Sequence, residues 1–466
     1  MGVGDKYPIF PSNLIKHNEH GMKNICTTCL LAIIFLSLST PIEARKWSLK
    51  DCIHYALSNN ISLKKTSLKH LSAIEDTKQS QAALLPSLNA ATSQNVTYRP
   101  WPQTGIAAEG YVQTSIDKVY YNGTYSVNGS WTVWNGGRNT NTVKLNKLTE
   151  KQAALDSATM ANQLIEQIAQ LYVQILYSSE AIAVNKSMLA SSVQNEKRGE
   201  EFMKVQKMSR ADMAQLTAQR AQDEYNVVEA ESNLRNYKRQ LKQLLQLVDE
   251  DEFEIDVPHT TDAMALQPIP SVKTVYSAAL NYRPEIQNAQ LGIESSNLSV
   301  KIAKASKLPV IGINAGVGTS TTSMSDYQWG NQMKNNFDIG AGISLSIPLF
   351  DNRQAKTAVN KAMLQKQNYM LDLKDKQTTL YSNIEDYWLQ AVNNQNRFKA
   401  AKVSTQSAEE SFRLLKAKFD EQLINIVELT DGKNKLMTAE QNELQDKYLA
   451  ILNIGLLKFY QTGTLE

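Results

Sequence analysis

Cysteine, unbalanced charge and long apolar runs are all scarce in this chain, and each scarcity excludes something. Cys26 and Cys29 lie in an apolar leader, so only Cys52 stands in the body of the chain and no intramolecular disulfide can form there. The C-x-x-C spacing of the first two sits inside an export segment, which argues against metal or redox chemistry. No small-residue lipobox precedes either cysteine. The 49 basic and 46 acidic residues leave a net charge of +3, without the basic excess of a nucleic-acid binder. Past residue 44 nothing approaches the ~18 consecutive apolar residues of a membrane helix, so any membrane crossing would be made by strands. There is no phosphate-cradling glycine loop, nucleophile elbow or metal motif. His17 and His20 lie in the leader, His259 stands alone, and His54 and His70 are 16 apart rather than at a zinc-binding i,i+4 spacing. The chain therefore reads as no enzyme, with no cofactor and no metal.

Proline is missing, and glycine nearly so, over two long stretches. Residues 139–206 and 354–421 contain no proline and a single glycine, Gly199. At 1.5 Å per residue, each predicts a helical rod of about 100 Å. Leu164, Ile168, Leu171 and Ile175 in the first recur as Leu380, Ile384, Tyr387 and Ala391 in the second. The four-three-four spacing is that of a coiled-coil seam.

The recurrence extends over the whole chain. Ala56-Leu57 falls on Ala279-Leu280 and Leu85-Pro86 on Leu308-Pro309 at an offset of 223. Further on, Trp134 falls on Phe350, Asp212 on Glu428 and Leu241-Lys242 on Leu457-Lys458 at an offset of 216. A register held this long is a duplicated structural unit. Residues 1–44 read as a leader with a secretory signal: Met22-Lys23-Asn24, an apolar run from Ile25 to Leu38, and cleavage after Ala44, with Met22 as the expected true start. Residues 45–258 form the first repeat, 259–270 a proline-marked linker, and 271–466 the second repeat.

Each repeat reads helix, strand, strand, long helix, helix. The opening helices, about 47–85 and 271–308, are stopped by Pro86 and Pro309. The period then changes to two. Tyr125, Val127, Trp131 and Val133 alternate with polar neighbours, as do Ile339, Ile343 and Leu345. Ile311 to Val317 alternates likewise, and Leu88, Ala90, Val96 and Tyr98 mark the strand after Pro86. Tyr98, Trp101, Tyr120, Tyr121, Trp134 and Phe350 lie near strand ends, as interfacial aromatics do. Four strands cannot close a barrel alone. An open sheet in lipid would leave backbone groups unpaired, so spanning strands require oligomerisation.

Several segments together resemble the TolC-type outer-membrane efflux channel family over nearly all of the chain after the leader. They are Trp47-Ser48-Leu49 with Ala56-Leu57, Asn281 to Ile286 with its Arg-Pro-Glu core, Leu85-Pro86 and Leu308-Pro309, Ser346 to Arg353, and Trp134 to Arg138. The resemblance implies a mostly α fold with a small β part. It would comprise a duplicated coiled-coil helical barrel and four transmembrane strands per protomer, with a homotrimer sharing one 12-stranded outer-membrane barrel. Tyr125, Val127, Trp131, Val133, Ile339, Ile343 and Leu345 would then face lipid. Pro86, Pro309, Pro348, Arg138 and Arg353 would mark strand–helix junctions. Glu428 and Asp431 would ring a gate at the periplasmic tip, with Asp212 as the first-half counterpart of Glu428. Gln206 and Gln422 stand where the family has a tip glycine, and Ser209 and Asn425 at its serine or threonine. The implied partners are a periplasmic adaptor, an inner-membrane pump and outer-membrane lipid, with no nucleic acid. The implied role is a passive exit duct of an efflux or type I secretion system, of unspecified cargo. A periplasmic coiled-coil scaffold or adaptor without a barrel is the alternative, and lipid-facing strands distinguish the two.

Overall fold

A computed structural model describes residues 46–101, 104–106, 113–115, 118–248, 253–258 and 260–465. The expected leader at 1–44, with Met22, Cys26, Cys29 and the cleavage point, lies outside the described residues, as does His259. The chain opens with β1 (Lys46–Trp47), α1 (Leu49–Asn59), α2 (Ile61–Ala82) and β2 (Ser87–Tyr98). A small hairpin follows, β3 (Thr104–Ile106) and β4 (Gln113–Ser115), then β5 (Val119–Trp134). Two long helices complete the first set, α3 (Arg138–Lys204) and α4 (Arg210–Leu245). The connection carries β6 (Glu254–Ile255) and α5 (Asp262–Ala265). The second set is α6 (Val272–Tyr282), α7 (Pro284–Ala305), β7 (Val310–Thr322), α8 (Trp329–Asn335), β8 (Asp338–Ser346), α9 (Gln354–Asp420) and α10 (Ile426–Thr462).

The two sets coincide closely. α6 and α7 reproduce the bounds of α1 and α2 at an offset of 223, and α9 reproduces α3 at 216, each 67 residues long. Sheet register follows the same arithmetic: Leu88 lies opposite Gly129, and Ile311 opposite Leu345. The first set's longer hairpin loop, carrying β3 and β4, accounts for the change of offset.

The expected single opening helices are each two. α1 stops at Asn60, whose carboxamide oxygen accepts from the backbone N–H of Ser62 and Leu63 and so starts α2. α6 stops at Arg283, and Pro284 opens α7 at the position where a missing N–H costs nothing. Arg283 is the repeat counterpart of Asn60. Its guanidinium stacks 4.0 Å over the Tyr460 ring and pairs with Glu285 at 2.7 Å and Glu166 at 3.3 Å. The Tyr282 hydroxyl donates to the carbonyls of Phe459 and Tyr460. The Arg-Pro-Glu segment is therefore a joint that fastens the second opening helix to the end of α10.

α3 with α4 and α9 with α10 form two long hairpins, and α7 packs against both α3 and α9. The seam positions Leu164, Ile168, Ile175, Leu380, Ile384 and Ala391 are buried, with Leu171 and Tyr387 half-buried. One apolar cluster gathers around Ile168 and Leu241, one around Ile384 and Phe459, and a third near the rod tip around Leu216 and Leu429. No helix among the described residues is long and apolar enough to cross a membrane.

Candidate functional site: an apolar sheet and the tip of the rod

One antiparallel sheet holds β2, β5, β7 and β8 in that order. Val127 lies opposite Ala90 and Val317, Trp131 opposite Ile313, Ile313 opposite Ile343, and Ile311 opposite Leu345. Six of the candidate lipid-facing residues, Tyr125, Val127, Trp131, Ile339, Ile343 and Leu345, thus share one continuous face. Across it Ile339 is 74% and Ile343 78% exposed, so the chain itself does not cover them. The opposite face carries Asn89, Asn128, Asn314 and Ser344. Both outer strands, β2 and β8, have one unpaired edge within the sheet.

Three details depart from simple alternation. Val133 is the extra residue of a bulge, so Trp134 takes the place opposite Ile311. Tyr120 is buried on the polar side under the Arg99 guanidinium, which corrects its reading as an interfacial aromatic. Trp131 donates its indole N–H to the Leu84 carbonyl at 2.9 Å, which ties the sheet to the end of α2. β8 also begins four residues short of the end of β7, and α8 covers that edge. The Gln332 carboxamide accepts from Thr322 N–H and donates to Thr322 C=O, in place of a strand.

The strand–helix junctions rest on left-handed residues. Gly136 and Gly137 have φ of +69° and +77°, and a Cβ at Gly136 would lie 2.9 Å from Leu308. Their counterparts Asn352 and Arg353 adopt φ of +51° and +68°. Arg353 therefore stands where Gly137 stands and is no counterpart of Arg138, which instead donates to Ser306 Oγ at 2.5 Å. Asn135 and Asp351 cap the long helices through Asn139 N–H and Ala355 N–H. Pro86 and Pro309 precede β2 and β7, and Pro348 follows β8.

At the far end of the rod both hairpins turn alike. Gln206 and Gln422 take the glycine conformation, with φ of +56° and +60°. Lys207 N–H reaches back to Phe202 C=O at 2.8 Å, and Leu423 N–H to Lys418 C=O at 2.9 Å, the closing bonds of a Schellman-type end. Ser209 and Asn425 then cap α4 and α10 by accepting from Asp212 and Glu428 N–H. Asp212 and Glu428 occupy matching first-turn positions, where a carboxylate favours the helix dipole. Glu428 and Asp431 are exposed, and Asp431 pairs with Lys435 at 2.7 Å. Asp212 accepts from the Ser209 hydroxyl at 2.7 Å.

Sequence reasoning missed a charged cluster just behind the tip. Lys433 of α10 and Asp223 of α4 form an ion pair with side chains only 2% and 1% exposed. Lys433 also donates to Ser192 Oγ of α3 at 2.8 Å, Ser192 donates to Asp223, and Gln219 donates to Asp223 at 3.1 Å. Burial pulls the Lys433 ammonium below the ordinary lysine range, against the pull of Asp223. The available signal was a lysine on the apolar face of α10 defined by Ile426, Leu429 and Leu436. Higher up, burial together with Glu409 and Glu443 pushes Glu440 up to about 7. No group of metal-ligating side chains occurs among the described residues.

Residues 275–453 match the family model described as outer membrane efflux protein. The toxin and drug export protein A of Aggregatibacter actinomycetemcomitans is 20% identical over 405 residues, 86% of this chain and 83% of that protein. The outer membrane protein OprJ of Pseudomonas aeruginosa is 22% identical over 392 residues, 83% and 78% of the two chains. Among solved structures, CusC superposes with a TM-score of 0.76 at 16% identity, over 91% of this chain and 95% of its own. The CmeC outer membrane channel of Campylobacter jejuni superposes at 0.74 and 17% identity, over 97% and 94%.

Proposed function

We propose that this chain is a member of the outer membrane efflux protein family and acts as a homotrimeric, passive exit duct that crosses the outer membrane and reaches into the periplasm. In this reading residues 45–258 and 271–466 are two structural repeats joined by 259–270. The observation that carries it is the bare apolar face of a sheet with two open edges, mounted on rods of about 100 Å. Lipid satisfies the face, and neighbouring copies satisfy the edges. Three copies supply 12 strands, wide enough for a water-filled lumen. In this reading an inner-membrane pump reached through a periplasmic adaptor drives transport. A periplasmic scaffold has no use for the face from Tyr125 to Trp131.

Glu428 and Asp431 are read as the gate. Three copies bring six carboxylates to the axis, a ring that favours cations and resists anions. Lys435 offsets part of that charge at Asp431, and Asp212 adds an outer ring. In planar bilayers Glu428→Gln with Asp431→Asn should lower cation selectivity and weaken block by multivalent cations while conductance persists. A double variant that blocks and selects like the parent places the gate elsewhere. Absence of any conductance from the parent protein sinks the channel reading itself.

A further inference from the structure

Just below the sheet, α3 carries three lysines with no anionic partner. Lys144, Lys147 and Lys151 are exposed, and no ion pair engages them among the described residues. They stand at i, i+3 and i+7 and so share one side of the helix. Like charges at these spacings disfavour a helix, so the stripe is unfavourable unless an anion meets it.

Two other sides of α3 are occupied. Asn139 and Asn146 donate to the carbonyls of Ala83 and Asp76, on the side of α2. Gln152 donates to Asn288, on the side of α7. The lysines fall on neither side. Lys144 and Lys151 are in heptad register with Tyr172, and Lys147 with Ile168 and Ile175. Those three residues are buried in one cluster with Trp47, Cys52 and Ile255, and Tyr172 donates to the Asp256 carbonyl at 2.6 Å. The layer of β1, α1 and β6 thus covers the same side of α3 further down. In a duct that side is the outside, since the layer would otherwise fill the lumen. The second repeat keeps one cation on the corresponding face. Lys356 of α9 is exposed and in heptad register with Ile384, which is buried with Val275 and Ala279 of α6.

Position along the rod names the partner. β5 ends at Trp134 and α3 starts at Arg138, so Lys144, Lys147 and Lys151 stand about 9, 14 and 20 Å below the start of the rod. Leu88, Trp134 and Leu345 close the sheet's apolar face at that end and are 79%, 41% and 61% exposed. Side chains lean toward the N-terminus of their helix, here toward the sheet. Lysine stems lie along apolar surface while the ammonium stays in the polar zone. A headgroup zone extends about 5–7 Å beyond the hydrocarbon. Lys356 and Lys144 reach into it, Lys147 reaches its edge, and Lys151 acts on it across roughly one Debye length of about 8 Å.

We propose that this outer face of the rod binds the anionic headgroups of phospholipids in the leaflet that faces the periplasm, through Lys144, Lys147, Lys151 and Lys356. The occupant is lipid because the stripe continues the bare apolar face of the sheet and is complementary in charge to phosphate. A zwitterionic headgroup carries its own cation beside the phosphate, so the stripe selects for net negative charge. Phosphatidylglycerol is the representative ligand.

This rests on the reading that the sheet spans a membrane, and one experiment separates the two. The full chain is reconstituted in phosphatidylcholine vesicles that contain spin-labelled phosphatidylglycerol or spin-labelled phosphatidylcholine. Electron paramagnetic resonance then reads the fraction of label immobilised by the protein. The parent should favour labelled phosphatidylglycerol several-fold. That ratio should fall toward one at about 1 M salt, where the Debye length is about 3 Å. Lys144→Gln with Lys147→Gln and Lys151→Gln should bring it near one at low salt, and of the three single changes Lys144→Gln should lower it most. Lys197→Gln with Lys374→Gln and Lys376→Gln removes the same charge further down the rods and should leave it unchanged. A parent that immobilises both labels alike, a ratio that persists in salt, or equal ratios in the two triple variants overturns the inference; the channel reading then stands if the parent still conducts in planar bilayers. A stripe variant that keeps the parent's lipid preference but changes ion selectivity puts the lysines in the lumen and also overturns it. Absence of immobilised lipid of either kind overturns the spanning sheet and this inference together.

Discussion

In the rod, Ile168 and Ile384 are 0% exposed, and the charged residues lie outside. In the sheet, Ile339 and Ile343 are 74% and 78% exposed, and asparagines and serines hold the other face. In the proposed channel the two regions are inverted with respect to one another because their solvents would differ. Water drives the rod's apolar stripe into a seam, whereas lipid would accept the sheet's apolar face and leave the polar face for a wet interior. The exceptions are as instructive as the rule. The rod buries Lys433 beside the carboxylate of Asp223 and the hydroxyl of Ser192, and the sheet ties its tryptophan N–H to a carbonyl, as at Trp131.

The largest expected effect tests that buried charge. Lys433→Ala leaves Asp223 buried and unpaired, which should cost about 3–5 kcal/mol of stability. Replacing both with apolar residues, Lys433→Met with Asp223→Leu, should recover most of the loss in chemical denaturation of the detergent-solubilised protein. Equal losses in the single and double variants would mean that packing, not the unpaired charge, sets the cost.

The next effect tests the sheet. Val127→Lys places a cation on the apolar face in mid-strand and should cost about 2–4 kcal/mol of folding into lipid vesicles. Asn128→Lys, one residue along and on the opposite face, should cost little. Equal folding yields would show that neither face meets lipid.

Glu440 offers a test by pH. Burial, with Glu409 and Glu443 nearby, pushes its carboxyl up to about 7 from the ordinary 4.5, so the native state keeps a proton that the unfolded chain has released. Stability should therefore fall as pH rises from about 4.5 through about 7, by on the order of 1–3 kcal/mol. Glu440→Gln should flatten that part of the profile, measured as melting temperature against pH. A Gln variant that keeps the parent's slope assigns the dependence to other groups.

The smallest effect concerns the tip turns. Gln422 holds a left-handed conformation that glycine adopts without strain. Gln422→Gly should stabilise the protein by a few tenths of a kcal/mol to about 1 kcal/mol, the gain in strain exceeding the entropy lost to a freer unfolded chain. A loss of stability would show that the Gln422 side chain contributes contacts worth more than its strain.

Much of this architecture was legible because it follows from local periodicity. Proline is absent where α3 and α9 run and Gly199 is their single glycine, the seam spacing marks their buried stripes, and strict alternation marks β5, β7 and β8. The offsets of 223 and 216 reappear in helix bounds and sheet register because a duplicated unit folds by the same local rules twice. What escaped depended on residues distant in the chain. The breaks at Asn60 and Arg283 lie inside strongly helical segments. Asn60 donates to the Leu244 carbonyl 184 residues away, and Tyr282, beside Arg283, donates to the Phe459 carbonyl 177 residues away. The glutamines of the tip turns act as glycines would, since the Schellman bonds and the capping residues after them fix the backbone whatever the side chain.

The sequence by itself determined that this chain is a duplicated rod with amphipathic strands, because period, breakers and internal repetition are properties of neighbouring residues. The tertiary structure decided what those surfaces meet. Lys433 and Asp223 are 210 residues apart and become one buried pair only when α10 seats in the first hairpin. Tyr120 and Tyr121 are adjacent in sequence, and only the sheet's packing sends one under Arg99 and leaves the other bare. Burial is set by whatever arrives from elsewhere in the fold, and no local pattern encodes that arrival.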